Sequence, residues 1–271
     1  MRRFLSTKGL VGATLVIVMF TTAILAPLLI PADLATRMTM TARLRPPSDL
    51  HWLGTDQLGR DLFYRVMLGA RTSLSIASGA VLMSLMLGLP LGMVSGFYRG
   101  RIDNALMRLV DTLLSFPVLL LALTISAMLG PNVTNATIAI GIAFTPFLAR
   151  IVRGEALRVT QMPYVEAARA AGATDLQLVL RHVLPNVMPP IIVQATISLA
   201  FAILAEAGLS FLGLGTQPPQ SSWGLMIQAS RDYLDVAPWT GLVPGAAVAL
   251  TVLGLNMSGD ILRDVFDPRT R

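Results

Sequence analysis

The chain has 271 residues, 54% of them hydrophobic and 13% charged, with a mean hydropathy of +0.67. Soluble domains carry about 25% charged residues, so this composition excludes an ordinary soluble protein. About 146 residues are apolar and a membrane-crossing helix uses about 20, which leaves room for six crossings. The net charge of +6 does not point to nucleic acid, because the cations sit at the ends of apolar runs and do not cluster with aromatic residues. They read instead as a topology signal.

What is missing bounds the chemistry. There is no cysteine, which excludes disulfides, thiolate metal sites and cysteine nucleophiles. The two histidines, His51 and His182, are far apart in sequence and argue against a multi-histidine metal site. The one lysine, Lys8, follows Thr7 and not the glycine-rich loop of a P-loop. No catalytic residue, metal or cofactor of its own is expected, and any ATP energy must come from a partner.

The first apolar run, residues 9–30, follows Arg2, Arg3 and Lys8. It is too long for the apolar segment of a typical signal peptide and reads as an uncleaved signal anchor, making residues 1–30 an N-terminal span. Residues 31–71 form a polar stretch with a break at Pro46 and Pro47, expected to be a structured extracytoplasmic loop. Asp56, Arg60 and Asp61 are its expected organisers, and His51 with Trp52 suits a membrane-interface anchor. Five further runs follow, at residues 72–97, 106–129, 133–152, 187–214 and 239–262, within one expected membrane-embedded domain 72–262 and before a short cytoplasmic tail 263–271. Six spans put both termini on one side. Taking that side as cytoplasmic brings 14 of the 21 cations inside, among them Arg2, Arg3, Lys8, Arg150, Arg153, Arg263, Arg269 and Arg271, as the positive-inside rule requires. Asp103, Arg108 and Asp111, where the third run begins, read as an interfacial salt-bridge cluster.

Residues 153–186 are the least membrane-like stretch of the second half. Pro163 suits a first helical position, Glu166 lies in the first turn where the helix dipole favours an anion, and Gly172 suits the left-handed residue that ends a helix. Tyr164, Ala167, Ala168 and Ala171 recur at i, i+3, i+4 and i+7, giving one small apolar face. A second short helix is expected from Thr174 or Asp175 to a break at Pro185. A helix with a mostly alanine face is suited to docking in a partner's groove.

The string Glu166-Ala167-Ala168, three residues, Gly172, nine residues, then His182, Val183, Leu184 and Pro185 resembles the EAA loop of the permease subunits of ATP-binding-cassette (ABC) importers, with His182 where isoleucine is common. Residues 51–74 and 205–226 resemble the segments before the second span and after the fifth span of the second-type permease of dipeptide, oligopeptide and nickel importers. The resemblance implies an all-α polytopic protein of six transmembrane helices with the type I importer permease fold, in a bacterial inner membrane. It implies that Glu166, Ala167, Ala168, Gly172, Leu184 and Pro185 form the surface gripped by a cytoplasmic ATPase that binds ATP and magnesium. The implied partners are a homologous second permease, two ATPase subunits, an extracytoplasmic substrate-binding protein and membrane lipids, with no nucleic acid. The expected cargo is di- or oligopeptides, the alternatives being nickel complexes, glutathione or another solute of the same branch.

Glu206 is the one acid well inside an apolar run, and an ionisable group at such depth is a functional candidate by default. Its two readings are a pathway or gating role and packing against a neighbouring helix. A membrane-embedded hydrolase would need a base beside a nucleophile or a metal, which these residues do not supply. An ion-coupled secondary transporter would be expected to carry inverted repeats and several midplane polar groups, and no repeat is visible.

Overall fold

The computed structural model describes residues 7–266. Arg2, Arg3, Arg269 and Arg271 of the expected cytoplasmic cations lie outside the described residues. Within them the chain is helical, with one isolated bridge between Thr55 and Asp61. In order come α1 (Thr7–Leu29), α2 (Ala32–Thr36), α3 (Leu62–Tyr98), α4 (Gly100–Leu114), α5 (Val118–Leu129), α6 (Val133–Thr160), α7 (Pro163–Ala170), α8 (Asp175–Gln177), α9 (Leu184–Phe211), α10 (Trp223–Ser230) and α11 (Trp239–Phe266). The helices α1, α3, α6, α9 and α11 are each long and apolar enough to cross a membrane, and α4 with α5 supplies a sixth passage bent by 87°.

Between helices in lipid there is little hydrophobic drive, so association depends on small residues that let backbones approach. The central pair, α3 and α6, follows this rule. Gly88, Gly92 and Gly96 repeat every four residues on α3, and a Cβ built at Gly92 would lie 2.4 Å from the Ala149 carbonyl oxygen and 2.6 Å from Val152 Cβ. Farther along, a Cβ at Gly96 would lie 2.7 Å from that of Ala156. The first and last spans meet the same way, since Gly12 faces Met257 and Gly254 faces Leu15. Two interior clusters result. One joins α3, α6, α9 and α10 around Ile76, Ala80, Ile140, Ile203, Leu209 and Trp223. The other, at the opposite end of α3 and α6, gathers Phe97, Val152, Val159, Val165, Leu178 and Val183, and so binds α7 and the turn after it to the ends of the spans. Leu28, Leu82, Met86, Met128 and Leu242 face outward, giving the apolar exterior a bilayer needs.

The second helix begins ten residues earlier than its apolar run, at Leu62 and not near residue 72. Asp61 caps it by accepting from the Phe63 amide at 2.8 Å and also holds His51 Nδ1 at 2.8 Å. The charge on its first turns is neutralised by tertiary contact, because Arg65 Nε lies 3.5 Å from Asp56 and its Nη1 donates to the Ala35 carbonyl at 3.5 Å. Asp56 also pairs with Arg60 at 2.7 Å and accepts from the amides of Leu58 and Arg60, and all three side chains are buried. The segment before α3 is therefore folded onto its end. Arg45 donates its amide to the Thr55 hydroxyl at 2.8 Å, and the Trp239 indole donates to the Thr55 carbonyl at 3.3 Å.

Three other expectations are corrected. The third run, residues 106–129, is not one helix: it breaks at Ser115–Pro117, because Pro117 pushes the preceding residue out of the helical region. The twelve residues of α5 rise only about 18 Å, short of the ~30 Å hydrocarbon core of a bilayer. The fourth helix continues to Thr160, eight residues beyond its apolar run, since Val152, Ala156 and Val159 keep its inner stripe buried. Finally, no break occurs at Pro185. A turn of π-helix, Leu178–Val183, carries α8 into α9, and Pro185 sits directly after it in the first turn of α9.

Candidate functional site

Two residues after α6 ends, the chain turns into α7. Pro163 occupies a first-turn position with its ring preset for the helix. At the other end the Gly172 amide donates to the Arg169 carbonyl at 3.0 Å and the Ala173 amide to that of Ala168 at 3.1 Å. This is a Schellman closure, which requires a left-handed residue between the two donors. Gly172 supplies it with φ +90°, and a Cβ there would meet nothing within 4 Å. The following helix α8 opens with a capping box, in which the Thr174 hydroxyl accepts from the Gln177 amide and the Gln177 side chain accepts from the Thr174 amide at 3.0 Å. The C-terminus of α7 and the N-terminus of α8 are thus satisfied locally, while α7 opens on Pro163 and α8 runs on into the π-helical turn.

Val165 is fully buried and, with Met162 and Ala168, packs onto the cluster at the ends of α3 and α6. Tyr164, Ala167, Ala171, Glu166 and Gly172 remain exposed. The small apolar face foreseen from spacing is therefore split, with Ala168 half-buried against the spans and the other three members facing outward. Beside α7 lies an open cavity of about 580 Å³ that takes in Glu166, Arg169, Arg99, Thr160 and Gln161. Arg169 is seated over the Phe97 ring with its guanidinium carbon 5.6 Å from the centroid, and Arg99 donates to the Thr160 hydroxyl at 2.9 Å. On the other side Tyr164 and Pro185 share a second cavity of about 830 Å³ with Glu155, Arg158, Gln194 and Arg263. Leu184 is half-buried next to it. The structure brings Glu166 to the first cavity and Pro185 to the second, on opposite flanks of one rigid projection.

Glu206 lies at the far end of α9, 0% exposed. Ser210, one turn on, donates to its Oε1 at 2.8 Å, and the Ser210 oxygen in turn accepts from the Thr216 amide at 3.2 Å and the Ser222 hydroxyl at 3.4 Å. Ser73 of α3, which accepts from the Trp223 amide at 3.1 Å, completes the ring of hydroxyls. Glu206 Oε2 and Thr216 Oγ1 have no hydrogen-bond partner. This polar knot joins α3, α9 and the start of α10. Ser73, Ser210 and Ser222 were not singled out in the sequence; Ser210, one turn from the one deep acid, carried a local signal, and the distant Ser73 and Ser222 carried none.

The expected cluster of Asp103, Arg108 and Asp111 is rearranged. Asp103 pairs with Arg153, Nη2 to Oδ2 at 2.7 Å, and accepts from the Ser95 hydroxyl, while Asp111 pairs with Arg150. Arg108 joins neither pair; both cations come from α6, some 40 to 50 residues on, a separation that leaves no local sequence signal. Among the described residues no group of three or more His, Cys, Asp or Glu side chains is arranged to hold a metal ion.

Residues 88–271 match the family described as binding-protein-dependent transport system inner membrane component. The chain belongs to this family. A putative peptide transport system permease protein of Brucella suis is 45% identical over 96% of this chain and 88% of its own. The dipeptide transport system permease protein DppC of Alkalihalophilus pseudofirmus is 43% identical over 97% of this chain and 86% of its own. A glutathione transport system permease protein, GsiD of Pectobacterium atrosepticum, is 40% identical over 100% and 90%. Among solved structures, a chain of the MetNI methionine ABC transporter in an inward-facing conformation superposes with a TM-score of 0.63 at 20% identity, covering 76% of this permease and 98% of that chain. The resemblance to the peptide branch of ABC importer permeases, drawn from the EAA string and its two companion segments, is borne out, as is the type I importer permease fold.

Proposed function

We propose that this permease carries di- and oligopeptides, or related small solutes such as glutathione, inward across a bacterial inner membrane, and that α7 is the lever through which ATP hydrolysis drives it. The observation that carries the reading is the build of α7: a short helix opened by Pro163 and closed at Gly172, anchored by Val165 to the ends of α3 and α6, and leaving Glu166, Ala167 and Gly172 exposed. A helix so held transmits a push at its exposed face directly to two spans, because packed interiors deform little. Alanine at the contact lets a partner's groove approach the backbone closely, and Glu166 offers a carboxylate for a cation on that partner.

On this reading the ATPase partners bind ATP and magnesium, and their closure draws the α7 helices of two permease halves together. The halves then exchange outward for inward access to a path between them. The complete assembly has this chain, a homologous permease, two ATPases and an extracytoplasmic binding protein. Both termini face the cytoplasm, which sets the segment before α3 on the outer side with Asp56, Arg60 and Asp61 organising it. Glu206 would hold the outer ends of α3, α9 and α10 together. The cargo rests on the names of relatives that are 40% to 45% identical over almost the whole chain.

The test is purification of the assembled transporter followed by uptake in proteoliposomes. Peptide uptake should require ATP, survive collapse of ion gradients, and fail when Glu166 and Ala167 are replaced with bulky residues while the permease stays in the membrane. Uptake that follows the ion gradient and ignores ATP would overturn the proposal. The ligand that co-purifies with the binding protein identifies the cargo.

A further inference from the structure

The helix α4 has three faces. At about 100° per residue, Asp103, Met107 and Val110 fall on one side, and all three are buried. Ile102 and Leu109 fall on a second side with the half-buried Leu106 and Leu113, yet Ile102 is 48% and Leu109 58% exposed. Arg101, Asn104 and Arg108 fall on the third side and are exposed. A helix inside the hydrocarbon would not present arginines outward, and a helix in water would not present a leucine stripe. A polar face and an apolar face side by side on the exposed part of one helix are the pattern of a helix lying in the membrane surface.

The backbone agrees with the side chains. The chain turns into α4 through Arg99, which holds φ +55° and ψ −166°, followed by Gly100 at φ +61°. A non-glycine residue persists in that region only where its surroundings impose it. At the other end α4 departs from α5 by 87°. α5, whose Leu119, Leu120 and Met128 are exposed, continues the same outward apolar surface.

We propose that α4 lies in the inner leaflet with Ile102 and Leu109 among the acyl chains, and that Arg101 and Arg108 select lipids with anionic headgroups. Two carboxylates of α4, the buried Asp103 and the exposed Asp111, then tie this lipid anchor to the lever. Asp103 holds Arg153 of α6 at 2.7 Å and Asp111 holds Arg150, and α6 runs on to Thr160, just before α7. The proposed function enters only in naming the leaflet and the lever.

Because the chain has no cysteine, single cysteines at Ile102, Leu109, Asn104 and Arg108 can be spin-labelled in the assembled transporter and studied in nanodiscs. Labels at 102 and 109 should be more accessible to oxygen than to a water-soluble nickel chelate, and those at 104 and 108 the reverse. With a fluorophore at Ile102→Cys, brominated phosphatidylglycerol should quench at a several-fold lower mole fraction than brominated phosphatidylcholine, each arginine being worth about fivefold at an anionic surface. The preference should vanish in the Arg101→Gln, Arg108→Gln double variant. Labels at 102 and 109 shielded from both relaxants would mean that a second permease covers this face, and equal quenching by both lipids would remove the headgroup selectivity; either overturns the proposal. ATP-driven uptake measured on the same preparation tests the transport reading separately, since an inactive transporter with the expected depth pattern would sink that reading alone.

Discussion

Replacing Gly172 with alanine isolates the turn that closes α7, the helix proposed as the coupling lever. The residue stands at φ +90°, and a Cβ there would meet nothing within 4 Å, so the substitution adds no steric clash and removes no apolar contact. What remains is the backbone cost of a left-handed L residue, about 1–2 kcal/mol. That is about a 5- to 30-fold loss in the population of the closed turn, because the Ala173-to-Ala168 and Gly172-to-Arg169 hydrogen bonds form only with this residue left-handed. The expected result is peptide uptake per ATP hydrolysed reduced in that range, with unchanged membrane insertion. The order should be glycine, then asparagine, which tolerates the left-handed region, then alanine, then valine. Gly154 is the control: it lies inside α6 with open space around its Cβ position and no positive φ, so Gly154→Ala should leave coupling intact and stabilise by about 1 kcal/mol. Parent-level coupling in Gly172→Ala and Gly172→Val together would refute the claim that this turn sets the docking surface.

Asp56→Ala would leave Arg60 and Arg65 buried without their carboxylate, and loss of one member of a buried pair costs about 3–5 kcal/mol; thermal unfolding of the purified permease should show a large drop. Asp56→Asn, which keeps an acceptor for the Leu58 and Arg60 amides, should fall less. Gly92→Leu forces a side chain onto the Ala149 carbonyl and Val152, an overpacking worth about 1–3 kcal/mol or more, and should lower the unfolding temperature far more than Gly245→Leu, whose surroundings are open and whose backbone is helical. Glu206→Leu removes the acceptor of Ser210 and should cost about 1–3 kcal/mol, whereas Glu206→Gln retains a carbonyl at that position and should lose less; equal losses in the two variants would show that shape alone matters there.

The apolar runs at residues 9–30, 133–152, 187–214 and 239–262 were legible as helices because crossing a bilayer imposes a length and a composition that few other structures share. Helix α7 was legible for a different reason. Its limits are written in local chemistry, Pro163 at one end and Gly172 at the other, and a Schellman turn involves only neighbours. Where the reading failed, a remote partner decided. Helix α3 begins at Leu62 because Asp56 neutralises Arg65, and α6 runs past its apolar run to Thr160 because its inner stripe stays buried against α3. In the third run the break at Pro117 had a local signal in the proline, but the turn of α4 into the membrane surface did not.

Sequence alone determined the apolar, helical class of the chain and the limits of α7, since each depends on composition or on residues a few positions apart. Tertiary structure decided which charges pair, which glycines mark helix crossings and where Glu206 points. Those outcomes depend on contacts between spans, as when Arg153 meets Asp103 and Ser73 meets the ring around Glu206, and no local pattern encodes which distant side chain will be there.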